Sequence, residues 1–311
     1  MSWIETDDPV STRCSTSDIE IKIDSRPREI EPGFSVGRVL PAAARRQVGP
    51  FVFFDQMGPI ELAPGRGLDV RPHPHINLAT VTYLLEGEIA HRDSLGSYQV
   101  IRPGAINWMT AARGIVHSER TTPDEKARGP RLHGVQLWVG LPRQEEQGDP
   151  AFRHYPSETL PEVEQDAARL RVLAGSAFGV TSPVQTLSPL FFVDAMLETG
   201  AQLLLPTGYA ERAAYVAKGE LTCGPERLLP GTLAVFASGS RPVLRAKIAT
   251  RLLLIGGDPL DGPRYIWWNF VSSSKERIVE AARAWREGRF PKVPGDEVEF
   301  VPLQEEPKFS T

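Results

Sequence analysis

The chain carries six histidines, at positions 73, 75, 91, 117, 133 and 154, all in its first half. Two of them form His73-Pro-His75, and another opens His117-Ser-Glu119. A spacing of i, i+2 puts both side chains on one face of a strand. Two such pairs on neighbouring strands, turned into a barrel, bring together three imidazoles and one carboxylate. Imidazole suits iron, nickel, copper and zinc, and the carboxylate turns preference away from soft Cu(I). On an ion that accepts six ligands this set leaves positions open for water, a bidentate substrate or O2, and open positions separate a catalytic site from a closed structural one. Glu119 has two jobs in this reading: metal ligand in the resting state, and general base that takes a proton from a substrate hydroxyl. The structural alternative is a set of histidines hydrogen-bonded along a sheet edge.

Strands must position these pairs. Gly 27 and Pro 28 in 311 residues suit many short strands joined by turns. Ile19–Ile23 alternates cleanly, VTYLL at 81–85 is β-branched and aromatic, and HGVQLWVGLP at 133–142 reads as a strand ending at Gly140 and Pro142. About three quarters of the chain reads as strand. The polar stretch 143–169 reads as the connection between domains 1–150 and 151–311. The exception to the β pattern is 272–288. There Ser273 and Glu276 can form a capping box, Ile278, Ala281, Ala282 and Trp285 share a face, and Gly288 can end a helix packed on the sheets.

A short repeat links the halves. Tyr83-Leu-Leu-Glu-Gly87-Glu88 matches Tyr215-Val-Ala-Lys-Gly219-Glu220, and each is followed by a Pro-Gly turn, at 103–104 and 230–231. In the second copy Leu205 and Thr207 stand where His73 and His75 stood, and Leu244 stands in place of His117. One copy then has a polar site where the other has a filled core.

The other candidates are secondary. Trp108 and Met109 read as core, His91 as a surface or supporting group, and His154 as structural. His133 and Gln136 lie on opposite faces of a regular strand. Arg113-Gly114 brings a cation near the mouth or stabilises a turn, and Asp69 is placed to accept from the first histidine pair. A formal charge of −4 advertises no basic surface, so direct nucleic-acid binding is not expected. Cys14 and Cys223 make no metal or disulfide framework, MSWIETDD shows no secretory signal, and no apolar run reaches eighteen residues. A soluble cytoplasmic protein without membrane contact is the expectation.

Six runs in order, FFDQMGP (53–59), RPHPH (71–75), TVTYLLEGE (80–88), HRDSLG (91–96), PGAINWMTAARGIVHSE (103–119) and VQLWVGLP (135–142), resemble the pirin family of the cupin superfamily. PRYIWWNFVSSSKERI (263–278) adds to the resemblance, which covers about residues 15–290. It implies an all-β chain of two tandem cupin barrels (double-stranded β-helix, or jelly-roll) with a C-terminal helix. The first barrel would hold one divalent metal through His73, His75, His117 and Glu119, and the second would hold none. The metal implied is Fe(II), with nickel, manganese, copper and zinc as alternatives. One departure concerns the pocket: many pirins continue HPH with R-G-F-E, where this chain has Ile76-Asn77-Leu78-Ala79. The missing Glu is not a ligand in pirins, so Ala79 bears on substrate choice rather than on the metal.

The function implied is a metal-dependent dioxygenase resembling quercetin 2,3-dioxygenase. It would open a flavonol-type ring with O2 and release carbon monoxide from a small hydroxylated aromatic substrate. The alternative is a redox-sensitive, iron-containing regulatory protein that modulates a protein partner. A monomer is expected in either case.

Overall fold

The computed structural model describes residues 8–14, 18–31, 34–303, 305–307 and 309. The start of the chain, residues 1–7, from which the absence of a secretory signal was read, lies outside them. Two β-barrels stand side by side. In the first, a seven-stranded sheet runs 151–155, 106–110, 78–86, 131–140, 51–61, 34–40 and 26–31 across the sheet, and a four-stranded sheet runs 69–75, 115–120, 89–93 and 98–101. In the second, the large sheet contains 19–24, 232–236, 211–218, 250–257, 190–197 and 168–177 in that order, and its four-stranded partner contains 202–204, 243–246, 221–223 and 226–228.

Alternation along the strands sorts side chains between two compartments. Val81 and Tyr83, Val135 and Leu137, Phe192, Tyr215, Leu253 and Ile255 meet in one core between the two large sheets. Phe191, Val193, Ala214, Val216, Leu252 and Leu254, one step out of phase, fill the second barrel together with Leu203, Leu205, Leu221 and Leu244. Large-sheet strands of the second barrel are therefore apolar on both faces. This accounts for the unbroken apolar stretch Leu190, Phe191, Phe192 and Val193. Each fully buried Phe or Leu contributes roughly 1.5–3 kcal/mol.

The repeat seen in the sequence is a structural one. Tyr83 lies beside Val135, which lies beside Gln56; Tyr215 lies beside Leu253, which lies beside Asp194. Each tyrosine crosses to the other barrel at the matching place: Tyr83 Oη donates to Asp194 Oδ2 and Tyr215 Oη donates to Gln56 Oε1, both at 2.6 Å. Leu205 and Leu244 are packed in the second barrel, as the asymmetry of histidines implies, but Thr207 is exposed.

Three expectations need correction. The stretch 143–169 is more than a connection: Ala151–Tyr155 pairs with Ile106–Thr110 in the first sheet, and Glu162–Gln165 edges the second. Reciprocally, Ile19–Asp24 pairs with Thr232–Phe236 of the second barrel, so pairing crosses position 150 in both directions. Strands also occupy less of the chain than three quarters, because turns and loops carry many apolar residues. Finally, the helix is Lys275–Arg286, capped by Ser274, whose hydroxyl accepts from Arg277 N. Ser273 instead donates its N–H and hydroxyl to the buried Glu146. The helix face read from the sequence does bury Ile278, Ala281 and Ala282, against Phe270 and Ile76. Ile76 directly follows His75, so the helix braces the strand that carries the first histidine pair.

Candidate metal centre

The strand Asp69–His75 lies antiparallel to Ile115–Arg120, and the register sets His73 opposite His117. A bulge between His117 and Glu119 re-aims the carboxylate. One ring nitrogen from each of His73, His75 and His117 lies within 4.8 Å of the other two. His117, His91 and the Glu119 carboxylate form a second group at the same spacing, so His117 belongs to both. Glu119 thus meets the histidine cluster through His117. All five side chains are buried.

Hydrogen bonds fix the tautomers of the first pair. His73 Nδ1 donates to the Arg71 carbonyl and His75 Nδ1 donates to the Asn269 carbonyl, each at 2.9 Å. A carbonyl can only accept, so Nδ1 carries the proton and Nε2 keeps its lone pair. Burial holds the His73 imidazolium down to about 4, and holds His75 and His117 well below the usual imidazole range. The three rings are neutral near pH 7, as ligands must be. His75 Nε2 and His117 Nε2 are 3.1 Å apart, and His117 Nδ1 is buried with no hydrogen-bond partner. Two nitrogens bound at right angles, each about 2.1 Å from a cation, would be separated by about 3 Å. A cation would let both present lone pairs where otherwise one must carry hydrogen. The donor set therefore fits a divalent transition metal.

Burial pushes the Glu119 carboxyl upward, against the pull of His91 and of Thr82. Thr82 Oγ1 lies 2.9 Å from both Glu119 Oε1 and Gln136 Oε1. A hydroxyl has one proton, and the charged acceptor makes the stronger bond. Of the two readings of His91, the structure excludes the surface one and keeps the supporting one: it is buried beside His117 and Glu119, stacked on Phe152 at 4.1 Å, and paired with Asp93 through Nε2 at 3.0 Å. His91-Arg-Asp93 has the same i, i+2 spacing as the two pairs that were singled out.

A cavity of about 400 Å³ opens over the site, lined by His73, His75 and Glu119 and walled by Phe53, Trp138, Gln136, Trp267 and Trp268. Phe53 and Trp138 stack at 4.0 Å, and Trp138 meets the His75 ring edge-on at 5.2 Å. Arg38 and Asp55 enter the wall as a two-bond pair at 2.8 and 2.7 Å. Val301, Pro302, Leu303 and Glu305 also line it, held by Val301 N donating to Pro72 O and by Arg120 clasping Asp296. Pro72 and Arg120 adjoin His73 and Glu119 in the chain, so the C-terminal segment is tied to the ligand strands.

The remaining sequence candidates fall outside the cluster. Asp69 pairs with Lys126 and Arg120, not with a histidine. Arg113 pairs with Asp149 on the surface. His154 Nδ1 bonds Asn107, and Trp108 and Met109 are core. A register shift follows His133, and Gln136 is the residue that reaches the cavity. Ala79 was expected beside the pocket. It lies instead in the core between barrels with Val81 and Tyr83, while Thr82, on the other face, reaches Glu119. Arg38, Asp55, Thr82, Trp138 and the C-terminal segment escaped the sequence reading altogether.

Comparison with known proteins agrees with this architecture. A family model described as Pirin matches residues 33–139, and one described as Pirin C-terminal cupin domain matches 192–291. A pirin-like protein of Caulobacter vibrioides is 48% identical over 92% of this chain and all of its own length. A Pseudomonas aeruginosa protein provisionally named quercetin 2,3-dioxygenase is 39% identical over 86% of this chain and 84% of its own. A crystal structure titled quercetin 2,3-dioxygenase from Acinetobacter baumannii superposes with TM-score 0.87 at 34% identity, covering 93% of this chain and 96% of that one. Two matched domains, a relative nearly half identical along its entire length, and two cupin barrels of which the first gathers the histidines place the chain in the pirin family.

Proposed function

We propose that the chain is a metal-dependent dioxygenase of hydroxylated aromatic substrates, with His73, His75, His117 and Glu119 holding one divalent iron. The observation that carries this reading is the convergence of buried, neutral imidazoles, two of them presenting nitrogens 3.1 Å apart, beneath an aromatic-walled cavity. The names of two relatives point the same way. Bound iron would supply one-electron and dioxygen chemistry and would acidify a substrate hydroxyl.

The chain's own residues do the rest. The stacked Phe53–Trp138 wall presents a flat apolar surface beside His75 for an aromatic ring. The volume falls within the usual range for small-molecule sites. Thr82 holds Glu119 Oε1, which leaves Oε2 to take a proton from the substrate hydroxyl. Burial makes that carboxylate a stronger base than one in water. Val301, Pro302, Leu303 and Glu305 narrow the mouth and limit water.

Oxygen uptake by iron-loaded protein with quercetin tests the reading. Uptake that depends on iron and falls at least about 100-fold in a protein lacking the site supports it. No metal-dependent uptake with flavonols or catechols would overturn it and favour the redox-sensing regulatory role. Glu119→Gln separates the two jobs of that residue. As a resting ligand its loss lowers metal content several-fold along with turnover; full metal content with lost turnover would leave it only the base role.

A further inference from the structure

We propose that Arg71 forms an outer anion subsite of the cavity, so that the substrate preferred by this chain is a hydroxylated aromatic bearing a carboxylate. This deepens the proposed function and rests on it. Arg71 lies two residues before His73 on the same strand, roughly 7 Å of chain from it, and its side chain lines the cavity. It is half-buried, and among the described residues its guanidinium has no ion pair or hydrogen bond. Its nitrogens are reached by water and are not taken by any side chain of the wall, so they are free to be offered to a ligand entering the cavity.

The other charges around the cavity are accounted for. Arg38 is fully engaged by Asp55 and lies over Phe53 at 4.4 Å. Glu119 belongs to the metal site and offsets only half of a divalent charge. Glu305 is exposed at the rim, where water screens it. The interior thus keeps a positive excess, carried by the ion at one end and by Arg71 beyond it. A ligand matching both has a metal-binding hydroxyl pair at one end and an anion at the other. The planar fork of a guanidinium fits a carboxylate through two parallel N–H bonds. An uncharged flavonol leaves this group unmatched.

The test compares 3,4-dihydroxybenzoate with its uncharged methyl ester, bound anaerobically to iron(II)-loaded protein and followed by tryptophan fluorescence, since Trp138, Trp267 and Trp268 line the cavity. The expected result is that wild type binds the acid about 10- to 100-fold more tightly than the ester. In Arg71→Gln that ratio falls to within about twofold of one, and in Arg71→Lys it is partly restored. The Arg71 carbonyl that accepts from His73 is unchanged by these substitutions, and metal content is read in each variant. Equal ratios in wild type and Arg71→Gln would overturn the inference while leaving the proposed function standing. Failure of both ligands to bind the metal-loaded protein would count against the proposed function itself, and the inference would fall with it.

Discussion

His117→Ala is expected to empty the metal site: stoichiometry drops from about one ion per chain to less than a tenth, and affinity falls by more than about 100-fold. His117 is the ring shared by both buried groups of donor atoms, so no other pair can rebuild the site around its loss. Removing a partner that merely orients a ligand costs 10–100-fold in affinity, and removing the ligand exceeds that. Inductively coupled plasma analysis of protein purified without oxygen measures it, with circular dichroism to show that the barrels remain. His133→Ala is the comparison: that ring lies outside both groups, and its variant keeps its metal. A His117→Ala protein that is folded and fully loaded would show that the ion sits elsewhere.

Arg251→Ala is expected to destabilise the chain by about 3–5 kcal/mol while leaving the metal in place. Asp194 is 2% exposed and takes two bonds from Arg251, at 2.9 and 2.6 Å, besides the Tyr83 hydroxyl that crosses between barrels. Deleting the cation strands a buried carboxylate, and breaking a buried pair from one side is far worse than replacing both members. The paired replacement Asp194→Asn with Arg251→Met should therefore recover much of the loss. Arg283→Ala, which removes an exposed helical ion pair with Glu280, should cost no more than about 0.5 kcal/mol. Urea unfolding midpoints compare all three. An Arg251→Ala protein as stable as wild type would mean that this network does not join the barrels.

Much of the site was legible because its signal is local. His73-x-His75 and His117-x-Glu119 each announce a shared strand face, and the repeat around Tyr83 and Tyr215 announces two barrels of unequal interior. His91-x-Asp93 carried the same spacing but stands next to a turn, which disguised its burial. Thr82, Gln136 and Trp138 were hidden for a different reason. Alternation says that they share one side of their strands, but only the register shows that this side faces the cavity while Ala79 and Tyr83 face the other barrel. Arg38 and Asp55 meet across adjacent strands, and their pairing too depends on register. Hydrophobic pattern gives faces and not partners, so it could not reveal that 19–24 and 151–155 pair across the expected boundary at residue 150. The stretch 301–303 has no periodicity at all. It lies beyond the matched family domains, and its place over the ligands follows from long-range contacts such as Val301 with Pro72.

Anomalous diffraction at the iron edge, from crystals loaded and grown without oxygen, tests the central claim most directly. The account predicts a single peak in the first barrel, about 2.0–2.2 Å from ring nitrogens of His73, His75 and His117 and from a Glu119 oxygen. A peak held by His91 without His73 and His75, or imidazoles splayed apart with no ion between them in loaded protein, would contradict it.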